Sequence, residues 1–375
     1  MNLLMITGLG SAKDLALGKK GAFYNTLEEF HKYWSRVDII APKVKNPVSN
    51  IFGNVYIHSS SWPLVFHPFW FIKKALALHK ENRFDLMTAQ EFPPFYNGVA
   101  ARILWHLKKI PYVLEILHIV GHPKPANFKE ILYKFIFKLF IRFDAKHAKA
   151  VRVMNKSQTP EFLKKCGVPQ NKLEYIPALY LDLEIFKPSN LPKEYDLIFV
   201  GRLEKNKGID LLLGAAEILK TQILNFKMVI VGDGRLKKSL KLKIENLKLQ
   251  NNVLLHGWAK DQREISNLIN KSKLLVMTSY NEGGPRVVFE AMACGVPALA
   301  TPVGMVPDFK SSVTVMDWDV QEIVTKAKKL FSDSQYYDGM RLQGLAVVKQ
   351  FEKKTAIKNY ADTLTFIAGH DIIKK

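Results

Sequence analysis

Short apolar runs of about strand length alternate with helix-length amphipathic segments along almost the whole chain. This alternation restricts the fold more than any other feature of the sequence. Strand-sized runs that are apolar on both faces fit parallel sheets covered by helices on either side, as in βαβ units. In the first half, strands are predicted near Asn2–Ile6, Val37–Ile40, Asn54–Ile57, Leu86–Thr88, Tyr112–Leu117, Ala150–Met154 and Leu173–Ile176, with helices such as Phe23–Trp34, Pro94–Leu107 and Phe128–Phe143 between them. A second series follows, at Leu197–Val200, Lys227–Val231, Val253–His256, Leu274–Met277, Ala298–Ala300 and Val313–Met316. Between the two series, Phe186-Lys-Pro-Ser-Asn-Leu-Pro-Lys-Glu194 is rich in proline and polar residues and reads as a linker. The expected architecture is α/β, with two doubly wound domains in tandem. An N-terminal domain covers 1–186, a linker 187–194, a C-terminal domain 195–355, and a last helix, 356–375, crosses back toward the first domain. At 375 residues the chain has the right length for two such domains. In doubly wound sheets ligands bind beyond the carboxyl ends of the strands, so a cleft between the two domains is the expected active site.

The C-terminal series carries the chemistry. Its first strand ends in Gly201-Arg202-Leu-Glu-Lys-Asn-Lys207-Gly208. A glycine at a strand end lets the backbone turn and approach a ligand. Arg202 and Lys207 then stand beside a helix N-terminus, where a guanidinium fork, a mobile ammonium and the helix dipole together suit a diphosphate. The next strand ends in Val231-Gly232-Asp233-Gly234-Arg235, a common α/β turn that is weak evidence alone. The third turn reads Ser279-Tyr-Asn-Glu282-Gly283-Gly284-Pro285-Arg-Val-Val-Phe-Glu290-Ala-Met-Ala-Cys-Gly295. Pro285 suits a first helical turn and Gly295 a helix end. One carboxylate therefore lies in the loop and the other on the helix behind it. Carboxylates accept paired hydrogen bonds from vicinal hydroxyls, and the amides of Gly283 and Gly284 face an anion or a sugar. An acidic helix start of purely structural purpose is the bland alternative.

Taken in this order, the glycine-Arg…Lys-Gly loop, the GDG turn and the E-x7-E motif resemble the donor domain of retaining GT-B glycosyltransferases of family 4. The resemblance extends more weakly over nearly the whole chain. Pro177–Pro188 is similar to the family's segment before the linker, although the usual Asn-Gly is absent. The resemblance implies two Rossmann-like domains facing across a cleft. It implies transfer of a sugar from a nucleotide diphosphate sugar to an acceptor hydroxyl, with retention and without metal or other cofactor. Arg202 and Lys207 would neutralise the diphosphate, Glu290 would hold the ribose hydroxyls and Glu282 the donor sugar, with Gly201, Gly232, Gly283 and Gly284 lining the donor. His118, just after the strand ending Leu114-Glu-Ile-Leu, matches a histidine beside the donor sugar, and His122 is a second candidate. Gly121 and Pro123 exclude the helix that a metal-binding pair of these histidines would need. Gly8 and Gly10 resemble the family's N-terminal glycine loop. Gln90 and Glu91 are acceptor-side candidates. A nucleotide-sugar epimerase, another enzyme of this fold, or a donor-binding protein without turnover are the competing readings.

A dinucleotide fingerprint fails at the N-terminus, because Lys13 stands where G-x-G-x-x-G needs its third glycine. Ile39-Ile40-Ala41-Pro42 also offers no acidic residue for a ribose. The formal charge of +21 implies an anionic partner: phosphorylated substrate, lipid surface or nucleic acid, the last without any recognition motif. The two cysteines, Cys166 and Cys294, have neither disulfide nor metal spacing. With an N-terminus that reads as a buried strand, they suggest a cytoplasmic protein.

Two segments suggest the inner face of the plasma membrane and a lipid-linked or glycan acceptor. Trp62-Pro-Leu-Val-Phe66-His-Pro-Phe69-Trp70-Phe71-Ile72-Lys73-Lys74 combines aromatics with lysines. In Phe128–Phe143, residues 128, 131, 132, 135, 136, 139, 140 and 143 form an apolar helical face, with Lys134, Lys138, Arg142 and Lys146 as a basic stripe. Such a helix lies in a membrane interface or packs on the core while its lysine stems snorkel. Taken alone, core packing is expected, with Phe137 and Ile141 off the apolar face.

Overall fold

The computed structural model describes residues 1–369. Residues 370–375, the end of the expected C-terminal helix, lie outside the described residues. The chain divides into two compact units. Unit 1 gathers residues 1–119, 133–180 and 354 onward, and unit 2 gathers residues 120–132 and 181–353.

Unit 1 is built on a sheet of eight strands: β1 (Asn2–Ile6), β2 (Arg36–Ala41), β3 (Asn50–Ile51), β4 (Val55–Ser59), β5 (Leu86–Gln90), β6 (Tyr112–Ile116), β7 (Ala150–Val153) and β8 (Leu173–Tyr175). Their order is β3-β4-β2-β1-β5-β6-β7-β8, and only the short β3 runs antiparallel to its neighbour. Unit 2 has six parallel strands: β9 (Tyr195–Val200), β10 (Met228–Val231), β11 (Val253–Gly257), β12 (Ser272–Met277), β13 (Ala298–Ala300) and β14 (Thr314–Val315). They lie in the order β11-β10-β9-β12-β13-β14. Runs such as Leu3-Leu4-Met5-Ile6 and Met228-Val229-Ile230-Val231 are buried along their length, because helices cover both faces. In each sheet the connections reverse direction once, between β1 and β5 and between β9 and β12. In open parallel sheets ligands bind at such switch points, beyond the carboxyl ends of the strands.

Residues 181–194 do not behave as a free linker. The Leu181 amide donates to Phe351 O at 2.8 Å, Ser266 Oγ to Ile185 O at 2.7 Å, and Asn270 Nδ2 to Lys187 O at 3.1 Å. Phe186 is fully buried. The helix Lys353–Gly369 returns to unit 1. Its Ile357, Tyr360, Ala361 and Leu364, at three- and four-residue spacing, enter the core beside Phe30 and Trp34. Tyr360 Oη donates at 2.6 Å to Glu115 Oε1, which also accepts from Arg152 Nη1 at 2.6 Å. A buried carboxylate thus has its cation and its hydrogen bonds.

The helix Phe128–Lys146 reverses the core-packing expectation. Its apolar stripe faces outward: Phe128 is 79% exposed, Phe135 58% and Phe143 54%. The side that meets the sheet is Phe137, Ile141, Asp144 and Ala145. Asp144 is one reason for this orientation, since its backbone carbonyl accepts from the buried Tyr112 hydroxyl at 2.5 Å. Phe137, Ile141 and Ala145 join the core cluster of the helices His67–Asn82 and Tyr96–Lys108, on one face of the unit 1 sheet.

Candidate functional site

The carboxyl ends of β9, β10 and β12 converge in unit 2. Gly201 follows β9, and its amide donates to Val231 O at 2.9 Å. Gly232 follows β10 with φ +138, and a Cβ there would fall 1.9 Å from Gly201 O. Only glycine allows the two turns to lie this close. Gly208 has φ +61, and a Cβ would meet Thr278 O at 2.2 Å. The helix Ile209–Gln222 can therefore start hard against the end of β12.

Packing of these turns joins the charges. Lys207 Nζ donates to Glu282 Oε1, and Ser279 Oγ donates to the same oxygen at 3.0 Å. Thr278 Oγ1 fixes Lys207 O at 2.8 Å, and the Tyr280 amide donates to Asn206 O at 2.8 Å. The ammonium of one turn and the carboxylate of the next are thus held at the β9/β12 switch point. Arg202 is exposed. With Val200, Gly201, Val231, Gly232, Trp258 and Ile265 it lines a mostly apolar cavity of about 360 Å³. The far wall is fixed by the capped start of the helix Gln262–Asn270. Asp261 Oδ1 accepts from the Glu264 amide at 2.8 Å, and Glu264 Oε2 accepts from the Lys260 amide at 2.6 Å. Trp258 at the mouth is 71% exposed.

Glu290 lies on the helix Arg286–Ala293 and is 7% exposed. Burial raises its carboxyl above the ordinary range, and Arg286, whose Nε donates at 2.8 Å, opposes that rise. Gly283 and Gly284 lie in the turn between β12 and this helix. Gly283 O sits so close to Gly304 that a Cβ there would approach to 2.2 Å.

A strap from earlier in the chain, residues 120–132, also belongs to unit 2. Asn281, buried next to Glu282, donates to Lys124 O at 3.0 Å and Glu130 Oε2 at 2.8 Å. The Lys124 ammonium lies 4.9 Å from the Trp318 ring centre, and Trp318 Nε1 donates to Ser279 O at 2.8 Å. Nothing local in the sequence signals this strap, because its partners lie about 150 residues away.

In unit 1, Gly8 caps the helix Leu9–Ala16, and its amide donates to Gln90 Oε1 at 2.9 Å. These two candidates meet at the β1/β5 switch point. Gly10 departs from the expected loop: it is in the first turn of that helix, and a Cβ there meets nothing within 4 Å. Glu91 departs from the acceptor-side expectation. It is 3% exposed, its Oε2 accepts from the Gly98 amide at 2.6 Å, and Asp144 lies close by. Burial, then the charge of Asp144, pushes its carboxyl up to about 8. His118 follows β6 in unit 1, half-buried, whereas His122 falls in the strap of unit 2. Neither lies on a helix.

Among the described residues no group of three or more His, Cys, Asp or Glu is placed to hold a metal ion. Asp317-Trp318-Asp319 is an Asp-x-Asp pattern whose second carboxylate is engaged in structure. Asp319 Oδ1 caps the helix Val320–Ser332 by accepting from the Glu322 amide at 2.8 Å.

Residues 182–343 match the family of glycosyl transferases group 1. An uncharacterized glycosyltransferase of Methanocaldococcus jannaschii is 26% identical over 76% of this chain and 73% of its own length. The GalNAc-alpha-(1->4)-GalNAc-alpha-(1->3)-diNAcBac-PP-undecaprenol alpha-1,4-N-acetyl-D-galactosaminyltransferase of Campylobacter jejuni is 28% identical over 60% of this chain and 57% of its own. The chain therefore spans only a little over half the length of that relative. Among solved structures, Anabaena HepE in complex with UDP and glucose superposes with a TM-score of 0.72 over 97% of this chain and 99% of that one, at 18% identity. Residues 182–343 thus resemble a glycosyl transferases group 1 domain, and the chain has the GT-B fold of two Rossmann-like units.

Proposed function

We propose that the protein transfers a sugar from a nucleotide diphosphate sugar to an acceptor hydroxyl, with retention at the anomeric carbon and without a metal ion. The observation that carries this reading is the Lys207–Glu282 pair at the β9/β12 switch point, beside the cavity that Arg202 lines. The leaving diphosphate gains negative charge in the transition state. Arg202, Lys207 and the helix N-terminus at Ile209 supply preorganised positive potential for it. When the diphosphate takes up the ammonium, Glu282 is free to accept from a sugar hydroxyl. Glu290 takes the ribose hydroxyls, and the mostly apolar cavity under Trp258 takes the base.

HepE was solved with UDP and glucose, which favours a uridine nucleotide and a hexose. The Campylobacter jejuni relative is named for an acceptor on PP-undecaprenol, which favours a lipid-linked acceptor at the cytoplasmic face of the membrane. No helix among the described residues is long and apolar enough to cross a bilayer, and we propose peripheral contact with such an acceptor.

Incubation with radiolabelled donor sugars and a membrane lipid extract tests the proposal. Label moving into the lipid phase with the α-anomer retained is the expected outcome. Conversion of the free donor sugar alone indicates an epimerase, and donor binding without either product indicates a protein that has lost turnover.

A further inference from the structure

Among the described residues, the outward face of the helix Phe128–Lys146 is left open to solvent. Phe128, Ile131, Leu132, Phe135, Leu139 and Phe143 are all about half exposed or more. Their three- and four-residue spacing places them on the side opposite Phe137 and Ile141. An apolar stripe of this length on a protein surface marks an interaction site.

Charge identifies the occupant. Lys129, Lys138, Arg142 and Lys146 are exposed on the same helix. The helix has two acids, and both are turned away. Glu130 Oε2 accepts from Asn281 Nδ2 and the Ala126 amide, and Asp144 is completely buried. The outward face is thus apolar and cationic without a single carboxylate. On the same layer of unit 1, Leu64, Val65, Phe66 and Phe69 are exposed at the start of the helix His67–Asn82, and Lys73 follows them. A second copy of this chain would bring the same cations against one another, on top of a formal charge of +21 for each copy.

We infer that this face docks on an anionic lipid surface. The apolar side chains enter the headgroup boundary, and the lysines and arginine meet the lipid phosphates. The inference deepens the lipid-acceptor reading, because it names the surface that meets the bilayer. It is tested without turnover, so that either can fail alone.

Flotation of the full chain with vesicles provides the test, using phosphatidylcholine alone and phosphatidylcholine mixed with phosphatidylglycerol, at low and high salt. Wild type should float with the anionic vesicles, not with the neutral ones, and should be released by salt. Phe135→Ser/Leu139→Ser/Phe143→Ser and Lys138→Glu/Arg142→Glu/Lys146→Glu should each weaken binding at least tenfold. Both should keep the wild-type melting temperature and UDP binding, since these side chains are outside the core and the donor site. Failure of wild type to bind anionic vesicles overturns the inference. Equal binding to neutral vesicles, or variants that bind as wild type does, overturns it as well. Light scattering that shows a wild-type dimer, a monomeric serine variant and no vesicle binding assigns the face to self-association instead.

Discussion

Lys207 and Glu282 form an ion pair between two turns that lie 75 residues apart in sequence and meet at the β9/β12 switch point. Each side chain thereby holds the other in place before any ligand arrives. Lys207→Ala removes the cation proposed to meet the diphosphate and takes from Glu282 its ion-pair partner. UDP affinity and kcat/KM should both fall at least tenfold, on the order of 1.4 kcal/mol of barrier. Glu282→Gln releases the ammonium, so UDP affinity should hold while turnover falls. Calorimetric titration beside turnover assays separates the two. Equal loss of UDP affinity in both variants would show that the carboxylate serves the diphosphate site and not the sugar.

Glu290 has its carboxyl raised by burial and restrained by Arg286. Removing the guanidinium in Arg286→Ala lets the carboxyl rise further. Because the ribose needs the ionised form, the acid limb of the kcat/KM profile should move to higher pH. A profile that loses height without moving along the pH axis would contradict this role for Arg286.

Glu91 has its carboxyl raised from the ordinary range to about 8. The folded state therefore holds a proton that the unfolded chain releases near pH 4.5. Its contribution to stability is fully present below that pH and is lost as pH rises through about 8. Glu91→Gln keeps an acceptor for the Gly98 amide and removes the charge. Its melting temperature should gain on wild type between pH 5 and about pH 8 and level off above, at roughly 2–4 °C per kcal/mol for domains of this size. A constant offset across that range would contradict the account.

Gly232→Ala forces a Cβ to within 1.9 Å of Gly201 O at φ +138. Strain of about 1–3 kcal/mol is expected, together with loss of UDP binding, because the displaced turn carries Arg202. Gly10→Ala should change stability by under ~1 kcal/mol in the favourable direction, since the site is helical and open. Melting temperatures of the two variants check both statements.

The parallel sheets were legible because βαβ strands are apolar on both faces and their glycine turns stand at fixed places. The runs Leu197–Val200 and Leu274–Met277, with Gly201, Gly208 and Gly283 after them, mark where the ligand is expected to sit. Legibility ended where burial is decided by distant partners. The Phe128–Lys146 helix turns its most apolar stripe outward, because Phe137, Ile141 and the Asp144–Tyr112 bond meet the sheet instead. A hydrophobic pattern identifies an apolar face and is silent on what covers it. In the sequence Glu91 reads as an acceptor-side candidate and Gly98 as part of the Pro94–Leu107 helix, and only the fold places Asp144 beside them. The cavity under Trp258 draws two of its walls from the glycine turns after β9 and β10, and the rest from Trp258–Asp261 and the start of the helix Gln262–Asn270, which carry no motif.

The central claim is that unit 2 holds a nucleoside diphosphate through Arg202 and Lys207. Thermal unfolding with and without UDP tests it most directly. A ligand at a hundredfold over its Kd stabilises by about 2.7 kcal/mol. UDP should therefore raise the wild-type melting temperature by several degrees, uridine should do much less, and the Arg202→Ala/Lys207→Ala protein should show no rise. An equal shift in the double variant, or a shift with uridine as large as with UDP, would contradict the account.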